Sequence, residues 1–90
     1  MMAEYKIPGG KLLTCEMRVA EGVIAEIKLS GDFFMHPEDA IKELEEALTG
    51  SRVDAYDSLI IEFFQGREIK LFGISPRDFS KVIELALGSQ

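Results

Sequence analysis

The sequence has one cysteine, one histidine, no tryptophan and no long apolar run. Cys15 therefore has no partner for an internal disulfide, and Cys15 with His36 alone is too small a set for a structural zinc site. No stretch approaches the roughly 20 apolar residues that a membrane-spanning helix needs, and the first residues lack the apolar core of a signal peptide. We therefore expect a cytoplasmic protein that binds no metal of its own.

Basic residues are also scarce, since ten Lys and Arg face 16 Asp and Glu and the net charge is −6. A nucleic-acid surface needs a basic face that displaces counterions from phosphates, so nucleic acid is not an expected partner. The chain has 90 residues, of which 47% are hydrophobic. That length and composition predict one small globular domain over residues 1–90.

Two neighbouring segments alternate between apolar and polar residues, which predicts a β-hairpin. The strands run from Leu12 to Val19 and from Val23 to Ser30. A three-residue loop, Ala20 to Gly22, makes every cross-strand pair on one face apolar, with Cys15 opposite Ile27. A two-residue turn with uniform pairing would mix the apolar face with the charged face, so we predict the longer loop.

Three helices and a short third strand are predicted after the hairpin. Apolar spacing and end signals place helices at residues 37–48, 54–65 and 76–87, the last one capped by Ser75. Residues 59–64 would also fit a buried strand, but the flanking cap signals favour a helix. Residues 68–72 alternate as the third strand. The fold class is therefore α+β in two layers, a small antiparallel sheet covered by about three helices.

Few residues are candidates for chemistry. Cys15 lies on the inward face of its strand, which is typical of a core residue rather than of a nucleophile. His36 precedes Pro37 at a helix boundary and has no nucleophile beside it by spacing, so a capping or surface role is the simpler interpretation. The acidic face of the first helix is interpreted as a solvated surface. No phosphate-binding loop is present.

The segment Gly31-Asp32-Phe33-Phe34-Met35 is harder to explain by packing. Three large apolar residues in a row on an irregular segment do not all point into one core, so at least one is expected to meet another surface. The other interpretation is that they close the sheet against the helices.

Several stretches, taken in order, resemble the C-terminal accessory domain of lipoate-protein ligases. These are Gly10-Lys11-Leu12-Leu13, the strands around Glu21-Gly22, Leu29-Ser30-Gly31-Asp32-Phe33-Phe34, and Leu44-Glu45-Glu46-Ala47-Leu48-Thr49-Gly50. The most specific parts are the strand that ends in Gly31-Asp32-Phe33 and the spacing of Leu44, Glu45, Leu48 and Gly50. The resemblance covers nearly the whole chain, which resembles in particular the separately encoded accessory subunit of archaeal ligases.

The resemblance implies a function that needs a second polypeptide. In this family a larger catalytic domain joins lipoate to ATP and passes the lipoyl group to a lysine of an acceptor protein. The lipoate loop and active lysine of that domain have no counterpart in this sequence, so no catalytic residue is carried over. We therefore expect a non-catalytic subunit of a heterodimeric enzyme, with ATP, Mg²⁺ and lipoate held by the catalytic subunit and with a lipoyl-domain protein as indirect partner.

The expected contact with that partner lies at Asp32, Phe33, Phe34 and His36. Aromatic side chains provide much of the binding energy of protein interfaces, and a carboxylate accepts backbone or arginine hydrogen bonds. The alternative is a stand-alone binding or dimerisation module, in which an exposed sheet edge or the Phe33-Phe34 patch pairs with itself.

Overall fold

The computed structural model describes residues 1–88 as two antiparallel sheets and three helices. The strands are β1 (Met2–Lys6), β2 (Leu12–Ala20), β3 (Val23–Gly31), β4 (Phe34–His36) and β5 (Lys70–Phe72). The helices are α1 (Ala40–Leu48), α2 (Tyr56–Gln65) and α3 (Pro76–Gly88), with a 3₁₀ turn at Val53–Ala55. The α+β class is confirmed. The predicted domain also includes Ser89 and Gln90, which lie outside the described residues.

The larger sheet has the strand order β1-β2-β3 and carries the helices on one face. Helix α3 packs on β1 and β2, α1 packs on β3, and α2 lies against both other helices. Cys15 belongs to the core, as predicted. The largest fully buried side chains are Leu13, Cys15, Ile24, Leu44, Leu48, Ile60, Phe79, Val82 and Ile83. Among the described helices, none has the length and hydrophobicity to cross a membrane.

The hairpin loop differs from the prediction. Strands β2 and β3 are joined by a two-residue turn at Glu21 and Gly22, whose φ angles of 53° and 76° are both positive. A bulge follows, because Arg18 pairs with Glu26 while Val19 pairs with Ile24, which leaves Ala25 without an opposite residue. The extra residue places Ile24 on the same face as Ile27 and Leu29, so Ile24 is buried, whereas regular alternation along β3 would place it on the exposed face. Cys15 lies opposite Leu29 and not opposite Ile27. The predicted three-residue loop is therefore wrong.

The third strand of the larger sheet is also not the one that was predicted. Strand β1, which the sequence analysis did not find, pairs with β2 from Met2 opposite Glu16 to Lys6 opposite Leu12. Strand β5 does form within residues 68–72, but it pairs with β4 in a separate two-stranded sheet. The irregular segment that was expected before the first helix therefore contains a strand.

The helix predictions are correct in number and nearly correct in their bounds. Helix α1 begins at Ala40 rather than at Pro37, and α2 begins at Tyr56, after the 3₁₀ turn that Asp54 occupies. Helix α3 has the predicted cap, since the Asp78 carboxylate accepts hydrogen bonds from the backbone N–H and the hydroxyl of Ser75, at 2.8 and 3.1 Å.

A candidate partner-binding surface on the second sheet

The small sheet places two phenylalanine side chains next to each other in solvent. Phe34 on β4 lies directly opposite Phe72 on β5, and their exposed fractions are 73% and 58%. The next pair along the two strands, Met35 and Leu71, points towards the core, as the alternation of side chains along a strand requires. Two large apolar side chains exposed next to each other mark a candidate interaction site.

The other end of the strand pair is basic. His36 lies opposite Lys70, and both side chains are exposed. A shallow groove of about 570 Å³ runs over the strand pair. It is lined by Phe34, Met35, His36, Glu38, Lys70 and Phe72. The surface therefore combines an apolar centre with charged groups at its rim, the usual arrangement of a protein interface. We call it the Phe34–Phe72 surface.

Phe33, the residue before this surface, points the opposite way. Its ring is half-buried and meets Phe79 edge-on, with a centroid distance of 5.6 Å. Phe79 in turn stacks on Phe64 at 5.8 Å. The two adjacent phenylalanines are thus divided: Phe33 closes against the helices, and Phe34 is exposed to solvent. A contact of Phe34 with another surface stays a prediction.

Asp32 bonds within the chain. Its carboxylate Oδ1 accepts a hydrogen bond from the backbone N–H of Leu12 at 2.8 Å, and its own N–H donates to the Leu12 carbonyl at 3.3 Å. The preceding Gly31 is needed for this approach, because a Cβ atom there would overlap the same carbonyl oxygen. Gly31 and Asp32 therefore fix the point at which the chain leaves β3 and turns towards β4.

The four predicted contact residues are consequently close in sequence but different in role. Phe34 and His36 line the groove, and Phe33 packs inward on Phe79. Asp32 is exposed, but its carboxylate is bonded to the Leu12 N–H. Phe72 and Lys70, which also line the groove, were not among the predicted contact residues. Their signal was the alternation of residues 68–72, which would have indicated them if Phe34–His36 had been recognised as the partner strand.

The rest of the described chain offers little for catalysis. Burial raises the pKa of the Cys15 thiol to about 11, which opposes formation of a thiolate. On α1, the carboxylate of Glu45 accepts a hydrogen bond from the backbone N–H of Leu29 at 2.7 Å, so this acid is used to cap the edge of β3. Among residues 1–88, no three His, Cys, Asp or Glu side chains are grouped so that they could hold a metal ion.

Comparison with known families agrees with this architecture. The family model of the bacterial lipoate protein ligase C-terminus matches residues 2–83. The chain belongs to this family. The predicted resemblance to the C-terminal domain of lipoate-protein ligases is therefore confirmed.

Two similar proteins connect this lipoate ligase C-terminal domain to archaeal systems. The lipoate-protein ligase A subunit 2 of Thermoplasma acidophilum is 39% identical over 62 residues, which are 69% of this chain and 65% of that protein. The match thus spans just under two thirds of that relative. A solved chain from the same organism is 30% identical, with a TM-score of 0.85 and 92% of both chains covered. It comes from a structural analysis of an archaeal lipoylation system, a bipartite lipoate protein ligase and its E2 lipoyl domain.

Proposed function

We propose that this chain is the accessory subunit of a two-chain lipoate-protein ligase. Together with a catalytic subunit, it serves the ATP-dependent conversion of lipoate to lipoyl-AMP and the transfer of the lipoyl group to an acceptor lysine. The observation that carries this proposal is the match of residues 2–83 to the family of ligase C-termini. A similar protein that is itself named as a separate ligase subunit supports it.

The chemistry explains how a subunit without catalytic groups contributes. Lipoyl-AMP is a mixed anhydride, which water hydrolyses, so a domain that closes the active site protects the intermediate. A contact that binds only the working conformation of the catalytic loops also shifts their equilibrium towards that conformation. In this proposal the catalytic subunit binds ATP, Mg²⁺ and lipoate. This chain contributes the binding free energy of its contact with that subunit, which stabilises the working conformation.

The Phe34–Phe72 surface is the proposed contact. Phe34 and Phe72 offer apolar area that association would remove from water, and His36 and Lys70 offer hydrogen-bond donors at the rim. Asp32 and Phe33 serve the same contact indirectly, since their internal bonds and packing fix the β4 segment. A preorganised segment loses less entropy on binding than a flexible one.

The test is reconstitution of the whole reaction. The cognate catalytic subunit, a lipoyl-domain acceptor, lipoate and ATP·Mg²⁺ are incubated with and without this chain, and lipoylation of the acceptor is followed by mass spectrometry. We expect modified acceptor only, or far faster, when both chains are present. If the acceptor is lipoylated equally fast with and without this chain, the proposal is contradicted. The stand-alone binding module would then be the remaining interpretation.

A further inference from the structure

Strand β1 is an outer strand of the larger sheet. It is the first strand in the order β1-β2-β3, and no described strand pairs with its outer side. The backbone N–H of Met17 donates to the Met1 carbonyl at 2.9 Å, and the N–H of Ile7 donates to the Lys11 carbonyl at 2.7 Å. Because hydrogen-bonded pairs alternate along an antiparallel ladder, odd-numbered residues of β1 bond to β2. The backbone groups of Glu4 and Lys6 therefore point outward from the sheet.

The side chains along this edge carry opposite charges. Glu4 and Lys6 are exposed on the face of the sheet away from the helices, and neither forms an ion pair among residues 1–88. Tyr5, between them, is half-buried on the helix-bearing face. A cleft of about 570 Å³, lined by Tyr5, Pro8 and residues of α2 and α3, opens beside its ring. The edge thus offers backbone groups, two complementary charges and room beside an aromatic ring.

We propose that the β1 edge pairs with the β1 edge of a second copy of this chain. In an antiparallel two-fold arrangement centred on Tyr5, Glu4 lies opposite Lys6 of the second copy, and Lys6 lies opposite the other Glu4. Each of these pairs exchanges two backbone hydrogen bonds and joins opposite charges, while the two Tyr5 rings face each other on the helix side. The three-stranded sheet becomes a six-stranded sheet that continues across both copies.

Charge selects this register over its neighbour. A shift by one step, centred on Glu4, places the two Glu4 carboxylates opposite each other at the two-fold axis, where like charges repel. Pro8 limits the pairing in the selected register, since it has no N–H to donate at the end of the strand. The contact is short, so we expect a weak dimer whose population rises with protein concentration. This inference does not depend on the proposed function, and the β1 edge shares no residue with the Phe34–Phe72 surface.

Charge exchange tests the pairing and its register together. Sedimentation velocity over a range of concentrations measures the mass of the wild type and of Glu4→Lys, Lys6→Glu and the double variant. The wild type is expected to move from 10.0 kDa towards twice that mass as concentration rises. Each single variant places like charges opposite each other at two positions and should weaken association by about tenfold or more. The double variant restores opposite charges and should recover association to within about threefold of the wild type.

Matched variants on α1 control for net charge. Glu43→Lys and Lys42→Glu change the charge by the same amounts at exposed positions and should leave association unchanged. Thermal unfolding of every variant shows whether the fold is kept, and recovery in the double variant separates pairing from loss of folding. A wild type that stays at 10.0 kDa at all concentrations overturns the proposal. So does a dimer that the single variants leave intact, or one that the double variant fails to restore.

Discussion

Asp32 and Leu12 are joined by two hydrogen bonds, one from the Leu12 N–H to the Asp32 carboxylate and one from the Asp32 N–H to the Leu12 carbonyl. These bonds connect the start of β2 to the chain that leaves β3. They leave Phe33 on the core side and Phe34 on the solvent side of the next strand. The position of the candidate surface therefore depends on a backbone contact 20 residues away in sequence.

Replacement of Asp32 by alanine should lower stability more than it lowers partner binding. The Leu12 N–H loses a charge-assisted acceptor, which costs about 1 kcal/mol of the free energy of unfolding. Urea unfolding of Asp32→Ala measures this loss, and Asp32→Asn, which keeps an acceptor oxygen, should recover part of it. A large loss of affinity for the catalytic subunit with unchanged stability would instead show that the carboxylate contacts the partner directly.

Gly31→Ala should destabilise the domain. The added Cβ would overlap the Leu12 carbonyl oxygen, a backbone atom that moves only if β2 and β3 separate locally. We expect a cost of about 1 to 3 kcal/mol, the range of overpacked sites. Gly66→Ala at the end of α2 is the matched control, because the nearest atom to its Cβ lies at an ordinary contact distance of 3.5 Å. Equal unfolding midpoints for the two variants would contradict the close approach at Gly31.

Replacement of Phe34 or Phe72 by alanine should weaken binding of the catalytic subunit. Each ring would lose its contact area at the centre of the interface, and we expect about 1 to 3 kcal/mol of affinity per anchor. Isothermal titration calorimetry with the catalytic subunit measures the change. Ile61→Ala on α2 is the control, since Ile61 is another exposed apolar residue, 46% accessible, outside the groove.

Phe33→Ala provides the opposite case. Its ring packs on Phe79, so its loss should reduce the melting temperature much more than the Phe34 change does. If Phe34→Ala and Phe72→Ala also leave affinity unchanged and only lower the melting temperature, these rings serve folding and the Phe34–Phe72 surface is not the contact.

The Cys15 thiol should make stability depend on pH in the alkaline range. Burial raises its pKa from 9.0 to about 11, because the thiolate would lose its hydration in the core. Below pH 9 the thiol is neutral in both folded and unfolded chains, so its contribution is fully present there. As pH rises from 9 to 11 the unfolded chain ionises first, and the free energy of unfolding falls by on the order of 2 to 3 kcal/mol.

Cys15→Ala isolates this effect. The variant should be less stable than the wild type at pH 7, by on the order of 1 kcal/mol, and should lack the additional alkaline loss. Urea unfolding of both proteins at pH 7, 9 and 10.5 measures the difference. If the free energies of unfolding of the wild type and of Cys15→Ala change equally with pH over this range, the pKa of the thiol is not raised by folding. Rapid labelling of Cys15 by a thiol reagent in the folded protein would show that the thiol is accessible.

The helices and the inward face of β2 were predictable because their signals are local. Ser75 and Asp78 mark the start of α3 by their own chemistry, and the row from Leu13 to Met17 alternates without interruption. The hairpin was not predictable by the same logic. Uniform pairing across the turn was assumed, whereas the bulge at Ala25 corrects the faces after a two-residue turn.

The candidate surface was predictable only in part, for a related reason. Phe34 was predicted because Phe33, Phe34 and Met35 form a run of large apolar residues that one core does not accommodate. His36 was a separate candidate next to that run. Phe72 and Lys70 belong to β5, which begins far along the chain from β4. Only the pairing of β4 with β5 brings these two residues beside Phe34 and His36. Short strands carry little periodicity, so β4 was not recognised, and β5, although predicted as a strand, was not matched to it.

Pyrophosphate release from ATP and lipoate is the measurement that tests the accessory-subunit proposal most directly. It reports the adenylation step alone, and it is made with this chain, with the catalytic subunit, and with both in equal amounts. The proposal predicts no release by this chain and a release rate for the pair well above that of the catalytic subunit alone. Full turnover by the catalytic subunit without this chain would contradict it, and release by this chain alone would show that it contains an active site.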